Sequence, residues 1–150
     1  MNKLSISKGW STHMAVLIKA VQSTDGAVLE IGSGLYSTPL LHWLCAESLR
    51  KLVTYEVKPQ FIEWAKEYQS RTHRITNKLP EGKFSVVFID GEERERADLA
   101  IRYKDAEFVV IHDTEQQAYG YEKVWSHFKY RFDWKFARPW TTVVSNLKEL

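Results

Sequence analysis

Cysteine is almost absent from this chain of 150 residues. Cys45 stands alone, which excludes an internal disulfide and a cysteine-based zinc site, and points to a reducing, cytoplasmic setting. No apolar run approaches the roughly 20 residues that a bilayer-spanning helix needs, so no membrane partner is expected. Residues 1–8 lack the apolar stretch of a secretory leader. A net charge of +2 is too small to mark a nucleic-acid binder by itself. Internal repeats, low-complexity tracts and linkers are missing too. One domain spanning 1–150 is expected, with no room for a separate substrate-recognition module.

What is present has the composition of a globular protein, 44% hydrophobic and 27% charged. Apolar segments of strand and helix character alternate as a doubly wound sheet requires. An amphipathic helix is expected over 11–21, with Ser11 as N-cap and Met14, Leu17, Ile18 and Val21 on one face. Strands are expected at 27–31, 51–56, 74–77, 84–90 and 107–113, separated by helices at 38–47, 59–70 and 93–103. A fifth helix over 121–130 then precedes two strands at 132–137 and 141–146, pairing antiparallel around Arg138-Pro139. The fold class is therefore α/β: a single, mostly parallel, seven-stranded sheet with an antiparallel C-terminal strand pair. Cys45 falls within the second helix and reads as a small core residue.

The segment Val28-Leu29-Glu30-Ile31-Gly32-Ser33-Gly34 places an acid and two glycines at the mouth of the first buried strand, just before a helix. Gly32 and Gly34 let the backbone take positive φ and approach a ligand closely, and the N–H groups of the following helix end point to the same place. A dinucleotide fingerprint would have a third glycine, where Ser37 stands. The acid two positions before the first glycine gives Glu-x-Gly-x-Gly instead. That pattern resembles the first motif of the class I S-adenosylmethionine-dependent methyltransferases, and 30–38 is similar to the form found in small O-methyltransferases. The bland alternative is a tight turn between strand and helix in an unrelated α/β domain.

Three more strand ends carry polar groups at the same edge: Glu56, Asp90-Gly91 and His112-Asp113-Thr114. Ligands of open α/β sheets bind at that edge, where strand order reverses. Glu56 lies about 20 residues beyond the glycines, where a carboxylate can accept hydrogen bonds from both hydroxyls of a ribose. The resemblance implies S-adenosylmethionine as cofactor, held by Glu30, Gly32, Ser33, Gly34, Glu56 and Asp90, with an adenine pocket near Asn77, Lys78 and Leu79. Asp90 is also a candidate for orienting the acceptor. His112 is the candidate general base, since imidazole titrates near neutrality, and Asp113 the group that orients it.

Asp90 and Asp113 also resemble the magnesium-holding positions of catechol-type O-methyltransferases, where asparagine occupies the place of Thr114. With that substitution no metal ligand is assigned, and magnesium stays an alternative cofactor. No Asp/Asn-Pro-Pro-aromatic sequence follows the fourth strand, which counts against amine acceptors, and no cysteine follows the fourth or fifth, which counts against covalent C5 methylation. A hydroxyl on a small molecule is the expected acceptor. RNA is kept as the alternative, because Lys123, Lys129, Arg131, Lys135 and Arg138 interleave with Trp125, Phe128, Tyr130, Trp134 and Trp140. A binding module without turnover and a different reaction of the same cofactor also stay open. An enzyme this small can complete its pocket from a second copy, so a homo-oligomer is considered. Residues 7–11 could cover the donor, with Gly9 as hinge and Trp10 as apolar cover.

Overall fold

The computed structural model describes residues 8–150. Among these, seven strands form one sheet: β1 (Val28–Ile31), β2 (Leu52–Tyr55), β3 (His73–Thr76), β4 (Val86–Ile89), β5 (Phe108–His112), β6 (Tyr130–Trp134) and β7 (Thr141–Ser145). Their spatial order is β3-β2-β1-β4-β5-β7-β6. The first five pair in parallel, and β7 runs antiparallel between β5 and β6. Parallel strands need helical crossovers that cover both faces, which is why β1, β4 and β5 are buried along their whole length.

The period of two sorts these strands between two cores. Leu29, Ile31, Val87, Ile89, Val109 and Ile111 face α4 (Arg96–Arg102) and α5 (Glu122–Trp125). Val28, Val86, Phe88 and Val110 face α1 (Met14–Gln22) and α2 (Ser37–Glu47), where Cys45 is indeed a small core residue. A third helix, α3 (Pro59–Ala65), begins with proline at its first turn, where a missing N–H costs nothing. No helix among the described residues is long and apolar enough to cross a membrane.

Order reverses between β1 and β4, and the polar edge lies at that point. The sheet and its antiparallel end agree with expectation, while several helix limits do not. α1 starts at Met14, not at 11, and its N-cap is His13; Ser11 supplies only a carbonyl, to Met14 N–H at 3.1 Å. The helix expected over 121–130 is a single turn, because Tyr130 already pairs with Ser145 in the β6–β7 ladder. The helix expected over 59–70 tightens into a 3₁₀ turn at Lys66–Tyr68. Gly34 does not use positive φ; Gly32 does, at +88°.

Candidate functional site

At the end of β1 the backbone bends at Gly32 into direct contact with the end of β4. A Cβ there would lie 2.5 Å from the Asp90 carbonyl oxygen and from Gly91 Cα, so only glycine fits. The next two N–H groups are already engaged. Ser33 N–H donates to Glu56 Oε2 at 2.9 Å, and Gly34 N–H donates to Thr38 Oγ1 at 3.0 Å. Thr38 in turn donates to Glu30, whose carboxylate also accepts from Thr54 Oγ1 at 2.6 Å. Thr54 lies 2.8 Å from His73 Nε2, and His73 Nδ1 lies 3.1 Å from His42 Nδ1, completing a polar chain beneath the loop. Burial pushes Glu30 up to about 7 against the opposing hydroxyl bonds from Ser37, Thr54 and Thr38, and pushes His73 down to about 4 with help from His42.

Glu56 closes the end of β2. Its Oε2 accepts from Ser33 N–H and Ser33 Oγ, and its Oε1 accepts from Val57 N–H at 2.8 Å and Lys58 N–H at 2.9 Å. These four donors match the roughly four lone-pair sites of a carboxylate. The Ser33 hydroxyl, at 3.1 Å, is the one that can rotate away. Beside it a cavity of about 430 Å³ is lined by Ser33, Glu56, Lys58, Phe61, Gly91 and Arg96, among others.

The other half of the site stands on β4 and β5. Arg96, buried at the start of α4, bonds Asp90 Oδ1 at 3.0 Å, Asp113 Oδ2 at 2.8 Å and the Gly91 carbonyl at 2.9 Å. The guanidinium thereby occupies the place between the two carboxylates where a magnesium ion was considered. Asp113 adopts φ +58°, a left-handed turn that aspartate tolerates better than most residues, and so presents its carboxylate to Arg96 immediately after the strand ends. His112 is 2% exposed, with Nδ1 at 3.4 Å from Asp90 Oδ1 and 3.8 Å from Asp113 Oδ1. Burial lowers the proton affinity of His112, but the two carboxylates outweigh it and raise the imidazole above its ordinary value. Burial pushes Asp90 up, and His112 with Arg96 more than reverses that. His13 packs beside His112, ring centroids 4.8 Å apart, and desolvation with the neighbouring imidazole drives it down to about 3.

A second lobe of about 460 Å³ joins these groups to the glycine loop, sharing Ser33, Phe61, Asp90, Glu93 and Arg96 with the first. Ser33, Gly34, Asp90, His112 and Asp113 therefore line one cleft, as do Trp10 and Pro139. Ser7 lies outside the described residues. Glu30 is fully buried under the loop and lines neither lobe; it supports the loop through Thr38, which accepts from Gly34 N–H. Asn77 is exposed beyond the end of β3 and lines neither lobe. Thr114 turns away, accepting from Thr142 Oγ1 at 2.9 Å. Sequence reasoning missed Arg96 and His13. Arg96 sits in the charged run 92–96, which reads as a solvated surface, and His13 reads as one polar residue near a helix start.

No family model matches this sequence, and no curated protein matches it. Solved structures do match. The cofactor-bound Rv0187 protein from MTB is 17% identical, with a TM-score of 0.66 over 99% of this chain and 84% of that one. A Pyrococcus furiosus methyltransferase is 14% identical, with a TM-score of 0.59 over 96% of this chain and 87% of that one. The Bacillus cereus O-methyltransferase in complex with SAH is 15% identical, with a TM-score of 0.60 over 94% of this chain and 83% of that one. The chain has the Rossmann-like fold of the class I S-adenosylmethionine-dependent methyltransferases.

Proposed function

We propose that this protein is an S-adenosylmethionine-dependent methyltransferase that acts on a hydroxyl of a small molecule. The observation that carries the reading is the two-lobed cleft in which the glycine loop, through Ser33 and Gly34, and the strand-end carboxylate Glu56 face the charged groups Asp90, His112, Asp113 and Arg96. The donor chemistry fits: Glu56 can exchange the Ser33 hydroxyl for a ribose hydroxyl, and Gly34 presents bare backbone to the cleft. When bound, the cofactor supplies a methyl group already activated by its sulfonium.

The chain's own work is then alignment, exclusion of water and removal of one proton. Arg96 fixes both carboxylates, and His112 with its carboxylate neighbours forms the wall that receives the acceptor's proton. Lobes of about 430 and 460 Å³ suit a nucleoside and a small acceptor. The aromatic and basic surface supports RNA less well, because Arg131 already stacks on Trp125 at 4.0 Å and Lys135 and Arg138 on Trp140 at 4.7 and 5.0 Å.

Calorimetric titration with S-adenosylmethionine and S-adenosylhomocysteine tests the donor side. Glu56→Ala is expected to weaken both by about 1 to 3 kcal/mol, the cost of unpaired ribose hydroxyls. Unchanged affinity in that variant would overturn the ribose assignment. His112→Ala should keep donor affinity and slow methyl transfer, read by mass spectrometry of hydroxylated acceptors. Donor binding without transfer to any of them would mark a module that does not turn over.

A further inference from the structure

We infer that His13, His112 and Asp90 form a binding site for a divalent transition-metal ion of the zinc type. Their ligand atoms all lie within 4.8 Å of one another. Bonds of about 2.0 to 2.2 Å place ligands roughly 3 to 4 Å apart, so the widest-spaced pair needs to close by about 1 to 2 Å to hold an ion. They come from three elements that the fold brings together: the turn before α1, the end of β4 and the end of β5.

The hydrogen bonds fix how His112 is turned. Thr12 has one hydroxyl proton, and its oxygen lies 2.7 Å from the Pro139 carbonyl and 3.0 Å from that of Gly9. Both carbonyls can only accept. The Thr12 oxygen is thus left to accept from His112 Nε2–H at 3.0 Å, which gives Nδ1 the free lone pair in the neutral ring. That lone pair looks at Asp90 Oδ1 across 3.4 Å, an arrangement of two acceptors that calls for a positive centre between them. The partner of Nε2 is the outer hydrogen bond that metal-bound histidines commonly carry.

His13 supplies the independent observation. It is 2% exposed, lines the cleft, and neither ring nitrogen has a hydrogen-bond partner among the described residues; nor has His112 Nδ1. A buried polar atom left unpaired costs about 1 to 3 kcal/mol. A proton on His112 would answer Asp90 and leave both nitrogens of His13 unanswered. One ion answers both histidines.

Two imidazoles and a carboxylate select a borderline ion over magnesium, which prefers an all-oxygen shell. The cleft side of the three ligands stays open, as in sites where a bound oxygen ligand completes the coordination. Arg96 fills the gap between Asp90 and Asp113, so the ion sits on the histidine side of Asp90. Its binding does not rest on the methyl-transfer reading; with the ion bound both His112 nitrogens are engaged, so the metal-bound state is distinct from the one in which His112 takes the acceptor's proton.

Chelator-treated full-length protein, without methyl donor, is titrated with Zn²⁺ by calorimetry and with Co²⁺ by visible absorption. One saturable equivalent is expected, not displaced by millimolar Mg²⁺. Histidine side-chain ¹⁵N spectra distinguish the five imidazoles of the chain. Zn²⁺ should move the resonances of His13 and His112 and leave those of His42, His73 and His127. His13→Ala should weaken Zn²⁺ by about 10-fold or more, by analogy with the loss seen when even outer-shell partners are removed. No saturable binding, shifts confined to His42 and His73, or displacement by Mg²⁺ would each overturn the proposal. The spectra of the wild-type protein decide it even if the variant fails to fold. Loss of metal binding with donor binding intact would leave the methyltransferase reading standing.

Discussion

At the ends of β1 and β2 the buried polar groups answer one another: Glu56 accepts four donors, and Glu30 closes a chain of hydroxyls and imidazoles under the glycine loop. At the ends of β4 and β5 they do not. There, two carboxylates share one guanidinium, and three imidazole nitrogens lack partners among the described residues. Buried polar groups are ordinarily satisfied, so the two halves have different reasons to exist. The first holds its own shape and offers a ready-made surface. The second stores unbalanced charge, of the kind that arriving chemistry neutralises.

Arg96 offers the hardest test of that contrast. It is the buried cation that bridges the two carboxylates, and Arg96→Met leaves Asp90 and Asp113 facing each other, half-buried, in the wall of the cleft. Removing one partner of a buried charge group costs about 3 to 5 kcal/mol. Urea unfolding should show a loss of that size, and Asp90→Asn in the same background should restore part of it. A loss below about 1 kcal/mol would mean that solvent already screens these carboxylates, and the contrast between the halves would disappear.

The first half has its own steric test in the two glycines of the loop. Gly32→Ala forces a Cβ into the Asp90 carbonyl at 2.5 Å and holds alanine at φ +88°, which should cost about 3 kcal/mol through strain and overpacking combined. Gly34→Ala meets only the movable Ser37 hydroxyl, at 3.2 Å, and should cost less than about 1 kcal/mol. Thermal unfolding of the pair measures the difference. Equal effects would show that the close approach of β1 to β4 is not what requires glycine.

How much of this was legible from residues alone follows the same division. The sheet was legible because fully buried parallel strands are continuous apolar runs, as at 84–90 and 107–113. Glu56, Asp90, His112 and Asp113 could be read because each ends such a run. The network of Glu30 could not, since Thr38, Thr54 and His73 are separated in sequence and meet only across β1, β2 and α2. Arg96 was hidden among like neighbours in a charged run. His13 was hidden for the opposite reason: it meets Phe88 and His112 only across the fold, a contact no local pattern encodes.

The effect most specific to the satisfied half is a pH dependence. In the unfolded chain Glu30 ionises at its ordinary value of 4.5, whereas burial raises it to about 7 in the folded protein. Between those values the folded chain holds a proton that the unfolded chain has released. Stability therefore falls as pH rises through this window: the contribution is complete below about pH 4.5 and gone by about pH 8. In full this shift corresponds to about 3 kcal/mol, of which roughly 2 to 3 kcal/mol falls between about pH 5 and pH 8. His73 and His13 oppose it below 6.5, because their lowered values make the unfolded chain the better proton binder there. The readout is thus the difference between wild type and Glu30→Gln in urea unfolding at pH 5 and at pH 8. The variant should lack the Glu30 slope, so the two curves diverge by that amount across the window. Parallel curves would mean that Thr38 and Thr54 stabilise the carboxylate fully, and that the loop rests on a permanent charge instead of a titrating one.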